Sequence, residues 1–323
     1  NYTILAPFDK YYNGVADYKI QLLPSAGDSD PNVVTRAKSG NLDYGYTKMV
    51  ADVQALEGTP GITVTPIDVR YTRLFYLNKF DRKDGSPAPL ADVRVRQALR
   101  YAIDMETICE TLFQGSAVPA NALAPDANLK GGDLNDYNYN PEKAKELLAE
   151  ANWDPNTVIK AVYYYTDQAT VDLMTAVQAY LADVGIKMEF ELVEGDLATI
   201  LWAAPADQTN GPRAVDWDIC YAANAALSLH EYYDRYRTGS PTNSHTPEDA
   251  ELNRLIDATN ASADVNAQNE AFKELIKYEN ENLFTMALYY QPIFLITSDK
   301  IGDIQKGTPQ FCINWDIQNW NVQ

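Results

Sequence analysis

The sequence predicts a mixed α/β chain folded as two lobes, and three observations lead there. Length comes first: 323 residues exceed the roughly 250–300 at which a single hydrophobic core stops growing. Composition comes second: 46% apolar and 22% charged residues are ordinary for a globular chain and exclude disordered, collagen-like and coiled-coil classes. Third, short alternating stretches are interleaved with helical periods, the strand and helix alternation of α/β folds. No stretch approaches the roughly 18 uncharged apolar residues that a membrane-spanning helix needs.

In chain order, Tyr18–Leu23 alternates and stops at Pro24, a half-buried strand. Ser29-Asp30-Pro31 opens a helix, with Val33, Val34 and Ala37 as its buried stripe and Gly40 at its end. A strand at Asp43–Tyr46, a helix near Lys48–Leu56 and a turn at Gly58-Thr59-Pro60-Gly61 follow. Ile62–Thr65 and Tyr71–Leu77 read as strands, and Asp81–Pro89, with Gly, Ser and two prolines, as a crossover between lobes. A helix starts near Ala91, with Val93, Val95, Leu99, Ala102 and Ile103 mainly on one face. Residues 115–138 are rich in Gly, Pro, Asn and Asp and read as a long loop. Asn140-Pro141-Glu142 caps a helix that turns Ala144, Leu147, Leu148 and Ala151 inward. Val158–Tyr165 is a strand, Thr170–Val184 a helix ended by Gly185, and Ile186–Leu192 an alternating strand. After a loop at Ala204–Arg213, Trp217–Tyr221 is a short buried strand. Helices are expected near 229–237, 247–260 and 264–282, then strand material over Phe284–Thr297 and an aromatic tail at Phe311–Trp320.

Charge excludes several functions. Lys and Arg total 26 against 45 Asp and Glu, a formal charge of −19. Nucleic acids are bound through cationic contacts to phosphate, so a nucleic-acid partner is excluded, and an anionic membrane surface repels this chain likewise. Cys109, Cys220 and Cys312 are too few and too scattered for a disulfide framework or a zinc site, and their pairing stays open. The 22 tyrosines offer flat apolar faces and hydroxyl donors, which suit clefts that grip small polar ligands as well as ordinary cores.

Catalytic motifs are missing. GxxxxGK[ST], GxGxxG and GxSxG do not occur, and two histidines supply little acid–base chemistry. His230-Glu231-Tyr232-Tyr233-Asp234 imitates the HExxH helix of zinc proteases, but Asp234 stands at the second histidine and a third strong ligand is lacking. Asp126-x-Asn128-x-Lys130-Gly131-Gly132-Asp133 imitates the start of a calcium loop, but Tyr137 stands where the closing Glu belongs. No metal, no cofactor and no catalysis are therefore expected. Carboxylates are plentiful, yet no spacing singles out a glycosidase pair.

The strongest signal is Pro89-Leu90-Ala91-Asp92-Val93-Arg94-Val95-Arg96-Gln97-Ala98-Leu99-Arg100-Tyr101-Ala102-Ile103-Asp104. Asp92 opens the helix, the apolar positions face a core, and Arg94 and Arg96 are expected to be held by backbone or carboxylate partners. This segment resembles the signature of the family 5 extracellular solute-binding proteins of ABC importers, the dipeptide, oligopeptide and nickel group. The resemblance continues in order through Tyr137–Ala151, Asp216-Trp217-Asp218-Ile219, Asp249–Asp257 and Tyr289-Tyr290, and it includes Leu42-Asp43 after Lys38-Ser39-Gly40.

The resemblance implies a two-lobed periplasmic-binding-protein-like fold of type II with a hinge. One lobe is then 1–80 with 283–323, the other 81–282, and the crossing strands are Leu74–Asn78 and Phe284–Tyr290. Asn1–Lys10 does not read as a signal peptide, and the family fold begins upstream, so the chain is read as the C-terminal portion of such a protein. The full-length form is expected to be an extracytoplasmic lipoprotein and a monomer. It would capture a small molecule or peptide between its lobes and deliver it to ABC permease subunits. A carbohydrate-active hydrolase or a ligand-sensing domain on the same fold is the alternative. Ligand contacts are expected at Tyr71 and Arg73 beside the hinge, at Asn224 and Ser228 in the loop Ala222–Leu229, and at Tyr290 on the returning strand. Peptide binders of the family place an Asp in that loop for the ligand's amino group, whereas here no acid precedes Glu231. A neutral or anionic polar ligand suits the chain better than a free amine.

Overall fold

A computed structural model describes residues 2–23, 30–67, 71–124, 129–225, 229–302 and 317–323. The chain divides into two compact units, Asn1–Arg70 with Gln291–Gln323 and Tyr71–Tyr290. These limits lie outside the lobe limits read at Asp81 and Asn282. The added residues include those of strands Tyr71–Leu77 and Thr285–Tyr290, which pair with each other in the larger unit's sheet. Asp81–Pro89 is tied to the same unit by Arg82, which donates to the Val158 carbonyl and pairs with the Asp218 carboxylate. Among the described residues no helix is long and apolar enough to cross a membrane.

The smaller unit carries an antiparallel three-stranded sheet in the order Tyr44–Thr47, Ile293–Ser298, Ile62–Ile67. Its helices, Val33–Lys38 and Val50–Leu56, contribute Val33, Ala37 and Leu56 to a small core with Ile296. Thr3–Leu5 pairs with Ile20–Leu22, and Ile301–Gly302 with Asn321–Val322. Most of the expected tail at Phe311–Trp320, including Cys312, lies outside the described residues.

The larger unit is built on six strands in the order Val118–Pro119, Thr285–Tyr290, Tyr71–Leu77, Ile219–Ala225, Val158–Tyr163, Lys187–Leu192. Val158–Tyr163 runs parallel to both of its neighbours, and the remaining pairings are antiparallel. Helix Gln168–Asp183 makes the crossover between two parallel strands, capped by Asp167, whose carboxylate accepts from the Thr170 amide at 2.9 Å. Gly185, at φ 87°, closes the turn into the next strand.

Strand alternation sends Phe75, Leu77, Ile219 and Tyr221 to one face, where they pack with Leu99, Leu148, Leu173 and Val177 from the helices. Leu74, Tyr76, Cys220 and Ala222 go to the other face, against Leu201, Leu252, Leu255, Leu275 and Ile276. Helix Val93–Ala102 begins at Asp92, which accepts from the Arg94 amide, and Pro141–Glu150 begins at Asn140, which accepts from the Lys143 amide. Both starts agree with the sequence reading.

Several elements differ from expectation. Phe284–Thr297 is not one block: Gln291-Pro292 divides it into strands belonging to different units. The helix expected over 229–237 is a 3-10 turn over Leu229–Tyr233, with Tyr232, Tyr233 and Tyr236 all buried. The loop read over Ala222–Leu229 is strand as far as Ala225, because each of these residues pairs in register with the Tyr71–Leu77 strand. Short helices at Met105–Thr111 and Leu197–Trp202 had no counterpart in the reading.

Candidate functional site

Ligands of open α/β sheets bind outside the carboxyl ends of the parallel strands. In the larger unit that end is formed by Tyr163, Leu192 and Ala225, and the antiparallel strand from Tyr71 begins beside it. Four of the five expected ligand residues stand here in strand register. Tyr71 faces Ala225, Arg73 lies between Ala223 and Tyr289, and Thr72 lies between Asn224 and Tyr290. Ser228 lies outside the described residues, and Tyr71 is placed by its backbone only.

Adjacent rungs point to opposite faces, so the candidates divide. On one face the Arg73 guanidinium is 4.3 Å from the centroid of the Tyr165 ring and is 6% exposed, a cation largely withdrawn from water. Tyr165 meets Tyr221 edge-on at 5.7 Å, and the Tyr221 and Tyr289 hydroxyls are 2.6 Å apart. Tyr164 and Tyr165 share a second hydroxyl pair at 3.0 Å. Burial raises the pKa of Tyr165, Tyr221 and Tyr289 against the opposing pull of the Arg73 charge. These hydroxyls stay neutral near pH 7: they can donate hydrogen bonds, not serve as bases. Asp167, on the next turn of chain, holds its own helix start.

On the opposite face Asn224 donates through Nδ2 to the Tyr232 carbonyl at 2.8 Å and so fixes the 3-10 turn. The Tyr290 hydroxyl donates to the Ala122 carbonyl at 2.7 Å and accepts from Lys130 Nζ at 2.8 Å, while that ammonium sits 4.5 Å from the ring centroid. Thr72 donates to the Leu123 carbonyl. Asn224 and Tyr290 therefore anchor the chain around 121–124 and 229–233, and Arg73 lies among the tyrosines across the sheet.

Sequence reasoning missed Tyr165, Tyr221, Tyr289 and Lys130. A usable signal existed in Tyr163-Tyr164-Tyr165, a tyrosine run where a parallel strand ends. Of the two metal look-alikes, Asp126 and Asn128 lie outside the described residues, as does the His230 side chain. Among the described residues no three His, Cys, Asp or Glu groups gather closely enough to hold a metal ion. Asp133 instead pairs with Lys277. Cys109 and Cys220 are buried free thiols.

The two remaining signature residues are structural. Asp218 is wholly buried between Arg213 and Arg82, at 2.6 and 2.5 Å, and also accepts from the Lys160 amide at 2.9 Å. Arg96 donates to the carbonyls of Leu90, Ala91, Asn282 and Leu283.

Flat rings and hydroxyl groups thus surround a withdrawn cation at the carboxyl ends of the parallel strands. The chain belongs to the bacterial extracellular solute-binding proteins of family 5, whose middle-region model matches residues 1–246.

Among curated relatives, the dipeptide-binding protein of Escherichia coli is 48% identical over 64 residues, 20% of this chain and 12% of that protein. Heme-binding protein A of Haemophilus influenzae is 35% identical over 130 residues, 39% of this chain and 22% of that protein. Among solved structures, the oligopeptide-binding protein AppA of Bacillus subtilis, in complex with a nonapeptide, matches 100% of this chain at TM-score 0.78 and 18% identity. NikA of Staphylococcus aureus, in complex with Ni(L-His)2, matches 99% at TM-score 0.77 and 19% identity. Both share this fold. The chain spans 64% of the first of these structures and 66% of the second.

Proposed function

We propose that this chain is the ligand-capturing part of the substrate-binding component of an ABC importer, taking up a small polar solute outside the cytoplasm. Family membership supports the binding role, and the relatives' names support peptides or peptide-like ligands as the class. Membrane anchoring through a lipid, a monomeric state, lobe limits at 80/81 and 282/283, and the lack of catalysis and of any metal belong to the same proposal.

The observation that carries it is the Arg73 guanidinium over the Tyr165 ring, 4.3 Å from its centroid, at the carboxyl end of the parallel strands. A guanidinium there can donate hydrogen bonds to an anionic or carbonyl group in a water-poor setting, with tyrosine faces beside it for stacking. Tyr71, Asn224, Ser228 and Tyr290 complete the proposed set, Asn224 and Tyr290 acting through the segments they anchor. The solute that co-purifies is to be identified by native mass spectrometry and titrated back by calorimetry. Arg73→Gln, Tyr71→Ala and Asn224→Ala are each expected to weaken binding about tenfold or more, the loss of one buried partner at roughly 1–3 kcal/mol. Binding equal to wild type in all three variants would place the ligand elsewhere.

A further inference from the structure

Four consecutive polar residues, Asn243-Ser244-His245-Thr246, run through the interior of the larger unit, none more than 1% exposed. Most of their polar atoms are matched. Asn243 donates to the Thr246 carbonyl at 2.8 Å and accepts from the Thr246 amide at 3.0 Å. Ser244 donates to the Leu201 carbonyl and accepts from Asn78, and the His245 carbonyl accepts from the Lys79 amide.

The His245 ring and the Thr246 hydroxyl are the exceptions. Both imidazole nitrogens and Thr246 Oγ1 are buried without a hydrogen-bond partner among the described residues. The ring is walled by Tyr76 at 4.9 Å, Tyr236 at 5.0 Å and Trp217 at 6.4 Å between centroids. The Trp217 indole nitrogen is likewise buried and unmatched, as is the hydroxyl of Tyr233, whose ring is 5.8 Å from that of Tyr236.

Burial, with the charges of Lys79 and Arg235, keeps this histidine neutral. A neutral imidazole presents one N–H and one lone pair, the indole one N–H, and each hydroxyl one donor and two acceptor sites. Buried polar groups are met by partners nearly everywhere, and an unmet one costs on the order of 1–3 kcal/mol. Several unmet donors and acceptors around one aromatic-walled ring call for a partner that is small, uncharged and able to donate and accept at once. Water meets all three requirements, and interior waters characteristically bridge two to four such groups.

We propose that the interior around His245 is a binding site for resident water, at least one molecule bridging the imidazole to the Trp217 indole N–H and a nearby hydroxyl. The site lies within the fold of the larger unit.

The test uses the wild-type protein. A resident water exchanges slowly, so the Trp217 indole proton should show direct cross-relaxation from water. A high-resolution crystal structure should show density within hydrogen-bond distance of both an imidazole nitrogen of His245 and Trp217 Nε1. His245→Phe, checked for an unchanged near-ultraviolet spectrum, should lose the Trp217 signal. An indole proton silent to water, together with no such density, overturns the proposal. So does density that a bromide soak replaces with an anomalous scatterer, which would mark an anion.

Discussion

Arg96 explains at single-residue scale why the RVR run of the signature is there. Helix Val265–Asn282 ends at Leu283 in the left-handed region, φ 43°, without the glycine that usually takes that place. Its last carbonyls would be unmet inside the unit, and the Arg96 guanidinium meets those of Asn282 and Leu283 while holding Leu90 and Ala91 with its other nitrogen. Arg96→Met should therefore lower stability by about 3 kcal/mol or more, read as a shift in the denaturant midpoint, since several buried acceptors lose their donor. Arg94, by contrast, is half exposed against Asp92, and its replacement should change stability by less than about 1 kcal/mol.

Glu279, near the end of the same helix, carries a prediction about pH. Burial, opposed by the Thr285 amide and by Lys79 and Arg96, raises its pKa from an ordinary 4.5 to about 8. Between those values the native state holds a proton that the unfolded chain has released. Stability contributed by Glu279 is thus complete below about 4.5 and lost as pH rises through 8. Melting curves should show that slope in wild type and a flatter profile in Glu279→Gln; equal slopes would contradict it.

At the scale of elements, the triad of half-buried Arg82 with buried Asp218 and Arg213 joins the start of one parallel strand to the segment after the Tyr71–Leu77 strand. Asp218→Asn leaves two guanidinium groups facing a neutral amide, one of them wholly buried, and should cost about 3–5 kcal/mol in chemical denaturation. Loss of less than about 1 kcal/mol would show that the pair is not needed.

Elements with long periods or strong caps were legible from sequence: Asp92, Asn140 and Gly185 each mark a boundary that the structure keeps. Met105–Thr111 and Leu197–Trp202 were not, because two turns are too short for a period to emerge, although Asp104 and Asp196 cap them in the usual way. Pro292 was a readable break that apolar residues on both sides concealed. Tyr71, Arg73, Asn224 and Tyr290 fall on neighbouring rungs of one sheet, a proximity the order of the elements suggested. Their division between two faces was not legible, because it depends on strand register, which no local pattern reveals.

For the whole molecule, the six-stranded sheet offers two ends. At the carboxyl end of its parallel strands stand Arg73, Tyr165, Tyr221 and Tyr289. At the amino end an open groove of about 600 Å³ is lined by Pro155, Val158, Gln178, Lys187, Met188 and Glu189. The first end, where tyrosine rings and hydroxyls surround the Arg73 guanidinium, is the one proposed to hold the solute. A crystal structure of the protein with its co-purified solute distinguishes them most directly. The ligand's polar atoms should lie within hydrogen-bond distance of the Arg73 guanidinium, with Tyr165 beside them. Ligand density in the groove by Val158 and Met188, with Arg73 untouched, would contradict the assignment of the site.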